Sequence, residues 1–161
     1  MILLDTNVVS EPLRPAPDTR VIAWIDAQPL ETLFLSAITV AELRAGVALL
    51  PAGKRRAGLQ ASLEKRVLPL FAGRVLPFDL ACTQAYAVLM AKARAMGLAI
   101  ATADGYIAAI AAANGFAVAT RDTGPFEAAG AAVINPSGWH EGRRPAATDH
   151  PPRIATRPTA A

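Results

Sequence analysis

In residues 102–122, TADGYIAAIAAANGFAVATRD, a helical pattern gives way to a strand that ends beside an acid. Thr102 opens a helix carrying Ile107 and Ile110, Asn114-Gly115 closes it, and Phe116 to Ala119 is a short apolar run followed by Asp122. The start of the chain repeats the arrangement, because Ile2 to Leu4 is a β-prone apolar run ending at Asp5. A further buried strand is predicted at Leu33 to Leu35, closed by Ser36, with others at Val75 to Phe78 and Ala131 to Ile134.

Helical patterns separate these runs. Asp18 can cap a helix whose Val21, Ile22 and Ile25 repeat at helical spacing until Pro29. After Ser36, the positions Val40, Leu43, Val47 and Leu50 form one apolar face, and a third helix with a charged outer face is predicted from Lys54 to Val67. Asp79 caps the next, in which Cys82, Tyr86, Leu89, Ala93 and Met96 form a core-facing stripe that ends at Gly97. Asp122 starts a short helix. Strands separated by helices need crossover connections, so the chain reads as an α/β fold with a largely parallel, doubly covered sheet.

At 161 residues the chain is one domain's worth, and a fold of that size buries roughly 68–70% of its unfolded surface without needing a staple. Cys82 is the only cysteine, which excludes an internal disulfide. The start MILLD lacks a basic region and a long apolar stretch, so a cytoplasmic location is expected, and no run is long enough to span ~30 Å of hydrocarbon. Net charge is +3, but the segment from Pro136 onward holds Arg143, Arg144, Arg153 and Arg157 against Glu141 and Asp149. That leaves 12 basic and 11 acidic residues elsewhere, a nearly neutral body with no case for a broad basic face. The segment 137–161 has no periodicity and is expected to be a mobile Pro/Arg-containing tail after a domain at 1–136.

Asp5, Glu42, Asp104 and Asp122 stand out against this apolar background. An acid that ends a buried strand lies where open α/β sheets bind ligands. Each also has a simpler reading. Asp5 and Asp122 can cap the short helices that follow them, and Asp104 suits the first turn of its helix. Glu42 completes the capping-box pattern Thr39-Val-Ala-Glu42, although Ser36 is an equally good cap and would place Glu42 well inside the helix. If two carboxylates stand about 5 Å apart at an effective dielectric near 20, they repel by roughly 3 kcal/mol, so a cluster calls for a cation or a raised carboxyl pKa. Oxygen-only ligands suit Mg²⁺ or Mn²⁺, which activate water and stabilise charge on a phosphate. The chemistry indicated is phosphodiester hydrolysis.

With ILLDTNVVSE, LSAITVAELRAG, TADGYIAAIAAANGFAVATRD and the following PFEAAG, the chain resembles PIN-domain endoribonuclease toxins of the VapC type, most closely their FitB-like branch. The resemblance covers about residues 1–136. It implies a three-layer α/β/α sandwich around a central, mainly parallel five-stranded sheet. Carried over position by position, Asp5, Asp104 and Asp122 match the metal ligands, Glu42 the helical acid, and Thr6, Asn7 and Thr120 the small polar groups that orient acids or water. Gly124 and Pro125 stand where some relatives carry a further acid, so Asp122 must supply that contribution by itself. The resemblance further implies Mg²⁺ dependence, with Mn²⁺ as a substitute, an RNA substrate and a homodimer. It also implies a cognate antitoxin whose tail covers the acidic pocket and through which alone operator DNA is bound.

Other classes remain to be separated. A phosphatase acting through an aspartyl intermediate wants an acid two residues after Asp5, where Asn7 stands, and a later lysine, whereas none follows Lys92. A non-catalytic PIN-like binding module and a DNA-directed nuclease are the alternatives. Trp24, Phe34 and Cys82 are expected in the core, and His140 and His150 in the tail are not expected to be ligands. Arg44, Lys92 and Arg121 could touch phosphate but are expected to be solvated charge, and Leu49, Leu50, Leu68 and Leu70 either pack in the core or border a partner groove.

Overall fold

Leu3 and Leu4 are both buried but point to opposite faces of one sheet, and that alternation organises the molecule. The computed structural model describes residues 1–139. In chain order it contains β1 (Ile2–Leu4), α1 (Thr6–Val9), α2 (Thr19–Asp26), β2 (Leu33–Ser36), α3 (Ala37–Ala48) and α4 (Lys54–Ser62). There follow β3 (Val75–Leu76), α5 (Leu80–Ala95), α6 (Thr102–Asn114), β4 (Ala117–Ala119), α7 (Thr123–Ala128) and β5 (Val133–Ile134). The five strands lie in the order β3-β2-β1-β4-β5, every pair parallel.

One face of the sheet carries Leu4, Leu33, Leu35 and Ala119 against Val21 and Trp24 of α2 and Val40 and Leu43 of α3. The other carries Leu3 and Val118 against Cys82 and Leu89 of α5, Ile107 and Ile110 of α6, and Phe126 of α7. This is the expected three-layer sandwich. Each fully buried aliphatic side chain contributes about 1.5–3 kcal/mol, so the two clusters together supply the main driving force for folding.

Most helices start where the sequence places a cap. Asp18 accepts from Arg20 N, Ser36 from Thr39 N and Asp79 from Cys82 N, while Gly115 ends α6 in the left-handed region at φ 67°. Several expectations need correcting. The apolar stripe of α5 stops before Met96, which is 50% exposed, because the helix ends at Ala95 and the chain turns away at Gly97. The helix expected from Lys54 to Val67 is α-helical only to Ser62 and continues as a π-helical turn, Leu63–Val67, in which Leu63 is buried. β3 stops at Leu76, since Pro77 has no N–H to extend the ladder.

At the far end, the Asn135 side chain caps a 3₁₀ turn at Pro136–Gly138, and Trp139 packs against the cluster that contains Trp24. Residues 140–161, including His140, His150 and most of the expected tail, lie outside the described residues. No described helix is long and apolar enough to cross a membrane.

Candidate active site

The chain runs from β1 to β2 and β3 on one side and returns to β4 and β5 on the other, so the strand order reverses between β1 and β4. Ligands of open α/β sheets bind at such a reversal, beyond the carboxyl ends of the strands. Leu4 pairs with Ala119 in register, and the next residues are Asp5 on one strand and Thr120 on the other. Asp5 N donates to Ala119 O at 2.9 Å, which extends the ladder to the point where both chains leave the sheet.

Asp5 is only 4% exposed and its oxygens are held on both sides. Oδ1 accepts from Thr6 N at 2.7 Å, while Oδ2 accepts from Asn7 Nδ2 at 2.7 Å and Thr120 Oγ1 at 2.8 Å. Asn7 Nδ2 also reaches Thr120 Oγ1 at 3.0 Å, and Asn7 Oδ1 accepts from Arg121 N at 3.0 Å. Asp122 N in turn donates to Thr120 Oγ1 at 3.1 Å. Thr6, Asn7 and Thr120 thus form one hydrogen-bonded frame joining the exits of β1 and β4.

Glu42 enters from α3. Ser36 caps that helix, so Glu42 lies in its second turn, and its carboxylate accepts from Thr6 Oγ1 at 2.5 Å instead of closing a capping box. Asp104 is carried by the first turn of α6, which sits close to α5. A Cβ on the adjoining Gly105 would come within 3.0 Å of Tyr86 Cε2 and 3.4 Å of Met90 Sδ, so the lack of a side chain there sets the approach. Asp122 precedes α7, but its side chain makes no capping hydrogen bond and is exposed.

The acids sense one another. Burial, opposed by hydrogen bonds from Thr120 and Thr6 and aided by the charges of Asp104 and Glu42, pushes Asp5 up from 3.8 to about 6. Asp104 is also raised, first by burial and then by the charges of Glu42 and Asp122. Asp5 thus lies in the field of Asp104 and Glu42, and Asp104 in that of Glu42 and Asp122. Among the described residues, however, no three Asp, Glu, His or Cys side chains are grouped so as to hold an ion as they stand.

The four acids offer only hard oxygen donors, the type that suits a dication such as Mg²⁺. Mg²⁺ keeps several waters and is usually held by one or two carboxylates plus substrate phosphate, so a site for it needs no protein cage. The mutual charging of these acids supplies the complementary condition, a surplus of negative oxygen donors that a cation would relieve.

A family model described as the PIN domain matches residues 2–131. The chain belongs to the PIN-domain family. This PIN domain is 65% identical over 136 residues to a VapC ribonuclease of Sinorhizobium fredii, a match covering 84% of this chain and 97% of the relative. It is 59% identical over 141 residues to Toxin FitB of Neisseria gonorrhoeae, covering 88% of this chain and 100% of that one. Among solved structures, the crystal structure of FitAcB from Neisseria gonorrhoeae superposes with a TM-score of 0.84 at 58% identity, covering 86% of this chain and 100% of that chain.

Beside the site, a cleft of about 490 Å³ is lined by Thr6 and Glu42, by Leu43, Val47, Leu50 and Leu59, and by Arg14 and Arg55. Leu50 borders it, whereas Leu49 is 86% exposed and Leu68 packs against the core. Two of the three cations expected to be solvated are paired: Arg44 with Glu64 at 2.8 Å and Arg121 with Glu11 at 2.7 Å. Glu11 is the polar residue of this region that the sequence reading missed. It is 1% exposed, and the signal lies in the sequence, since an acid two residues after the apolar pair Val8 and Val9 calls for a partner if it is buried with them.

Proposed function

We propose that this PIN domain is the toxin of a type II toxin-antitoxin pair and a Mg²⁺-dependent endoribonuclease, with Mn²⁺ able to substitute. The observation that carries the reading is the set of mutually charged acids around the strand-order reversal. Asp5, Asp104 and Asp122 would hold the cation, and Glu42 would position or deprotonate the attacking water. A bound ion supplies a lowered pKa for coordinated water and a counter-charge for the scissile phosphate.

The protein's own part is orientation. Three donors fix Asp5, so its carboxylate needs little rearrangement. Thr6 fixes the Glu42 oxygen that it touches and leaves the other to accept a proton from water. The exposed Asp122 and partly buried Asp104 leave the side toward solvent open for a nucleic-acid strand.

The cleft that has Glu42 in its wall is lined by Leu43, Val47, Leu50 and Leu59 with Arg14 and Arg55 beside them, a mixture that suits an amphipathic antitoxin tail. A cationic group at the end of such a tail would meet the same surplus of carboxylates. Operator DNA would be bound only through that antitoxin, and the chain would act as a cytoplasmic homodimer. The similarity to a protein named VapC ribonuclease and to one named Toxin FitB supports this reading.

The test is cleavage of RNA by the purified chain with Mg²⁺ and with EDTA, alongside Asp5→Asn. Cleavage should need the metal and disappear in the variant while its circular dichroism is unchanged. If Asp5→Asn cuts at the parent's rate, the assignment is wrong. Cleavage confined to DNA would favour a DNA-directed nuclease, and absence of Mn²⁺ binding by calorimetry would favour a non-catalytic module.

A further inference from the structure

Glu11 follows α1 in a short 3₁₀ turn, outside the acid cluster, yet it is among the most deeply buried charged groups described. Its Oε2 accepts from Arg121 Nη1 at 2.7 Å and from Arg14 Nη1 at 3.2 Å, and its Oε1 accepts from Asp18 N at 2.7 Å. Burying an acid costs free energy, and burial here works to raise its pKa. The hydrogen bonds from Asp18 and Arg14 and the charges of Arg121 and Arg14 outweigh that, so Glu11 stays below its ordinary value and ionised.

What this carboxylate holds is the notable part. Arg121 lies between Thr120, whose hydroxyl supports Asp5, and Asp122. Its backbone N–H serves the frame through Asn7, while its guanidinium is turned to Glu11. Among the described residues, the guanidinium of Arg121 makes its side-chain hydrogen bond to Glu11 and none to Asp5, Asp104 or Asp122. A guanidinium at about 5 Å from one carboxylate at an effective dielectric near 20 gains roughly 3 kcal/mol, so a released Arg121 has several acids to fall onto.

We propose that Glu11 is a positioning residue that holds the Arg121 guanidinium away from Asp5, Asp104 and Asp122 and so keeps those carboxylates free for a divalent cation. Without Glu11, Arg121 becomes an internal counter-ion that competes with the metal. This rests on the metal-dependent reading above and deepens it, since it assigns the availability of those carboxylates to a residue that touches none of them.

Mn²⁺ calorimetry on metal-free protein tests it, with thermal unfolding measured in parallel. Glu11→Gln keeps an acceptor for Asp18 N but weakens the hold on Arg121, and should lower Mn²⁺ affinity by about 10–100-fold, the range usual for groups that support metal ligands. Adding Arg121→Ala should restore the parent affinity without restoring the melting temperature, because the lost packing around position 11 remains lost. A purely structural role predicts no such split. If Glu11→Gln does not fold, Glu11→Asp, which keeps the charge and shortens the reach, carries the same expectation of loss and rescue. The inference is overturned if the single variant binds Mn²⁺ as the parent does, or if the double variant binds as weakly as the single. Failure of the parent to bind Mn²⁺ overturns the metal reading itself, and this inference with it.

Discussion

Thr120 and Asp5 meet where β4 and β1 leave the sheet, the Thr120 hydroxyl donating to Asp5 Oδ2 at 2.8 Å while accepting from Asn7 Nδ2 and Asp122 N. One buried hydroxyl therefore couples the two strand exits and both of the acids that follow them. Thr120→Val keeps the shape and removes the hydrogen bonds. Mn²⁺ affinity and cleavage should each fall by about 10–100-fold, and Thr120→Ser should stay near the parent. Calorimetry and initial rates with the two variants check this.

Asp5 also gives the protein a pH signature. Its folded pKa is raised from 3.8 to about 6, so protons compete with a cation below about pH 6 and Mn²⁺ affinity should fall about tenfold per unit there. For the metal-free fold the sign is opposite to that of a salt-bridged acid. The folded state holds the proton more tightly, so this group's contribution is greatest below its unfolded pKa and is lost as pH rises through about 6, by roughly 3 kcal/mol. Subtracting the stability-pH curve of Asp5→Asn from that of the parent should reveal this fall. A difference curve that is flat or rises between about pH 4 and pH 7 would contradict it.

Gly105→Ala tests how Asp104 is placed. The added methyl would stand 3.0 Å from Tyr86 Cε2 and 3.4 Å from Met90 Sδ, so α6 or the Tyr86 ring must yield. A stability loss of about 1–3 kcal/mol is expected from overpacking, with cleavage reduced because the first turn of α6 moves with its acid. Chemical denaturation and rate measurements on one preparation separate the two effects.

Ser36→Ala removes the cap of α3 and the partner of the buried Thr39. The expected cost is about 0.5–2 kcal/mol in denaturant unfolding. Glu42 is one turn further along, held from outside by Thr6, so cleavage per folded molecule should change much less than stability.

Much of this was legible in the chain because the strands are short apolar runs that end on polar residues. Asp5 and Thr120 lie at strand ends in register, and Ser36 and Asp79 cap the helices assigned to them. The rival reading of Glu42 as a capping-box partner was settled only by geometry, since Ser36 and Thr39 each satisfy the local pattern and the competition between them is decided by where β2 ends. Met96 kept the period of the stripe but fell past the end of the helix, where periodicity no longer reports burial. Glu11 and Arg121 are 110 residues apart, and nothing local in either segment identifies the other as its partner. How the acids stand toward one another is likewise a matter of side-chain direction, which spacing does not encode.

Anomalous diffraction from crystals soaked in Mn²⁺ tests most directly whether these acids gather around one dication. The prediction is a peak bordered by the carboxylates of Asp5, Asp104 and Asp122, absent from Asp5→Asn crystals. A peak elsewhere, or none in a preparation that still cleaves RNA in the presence of EDTA, would contradict it.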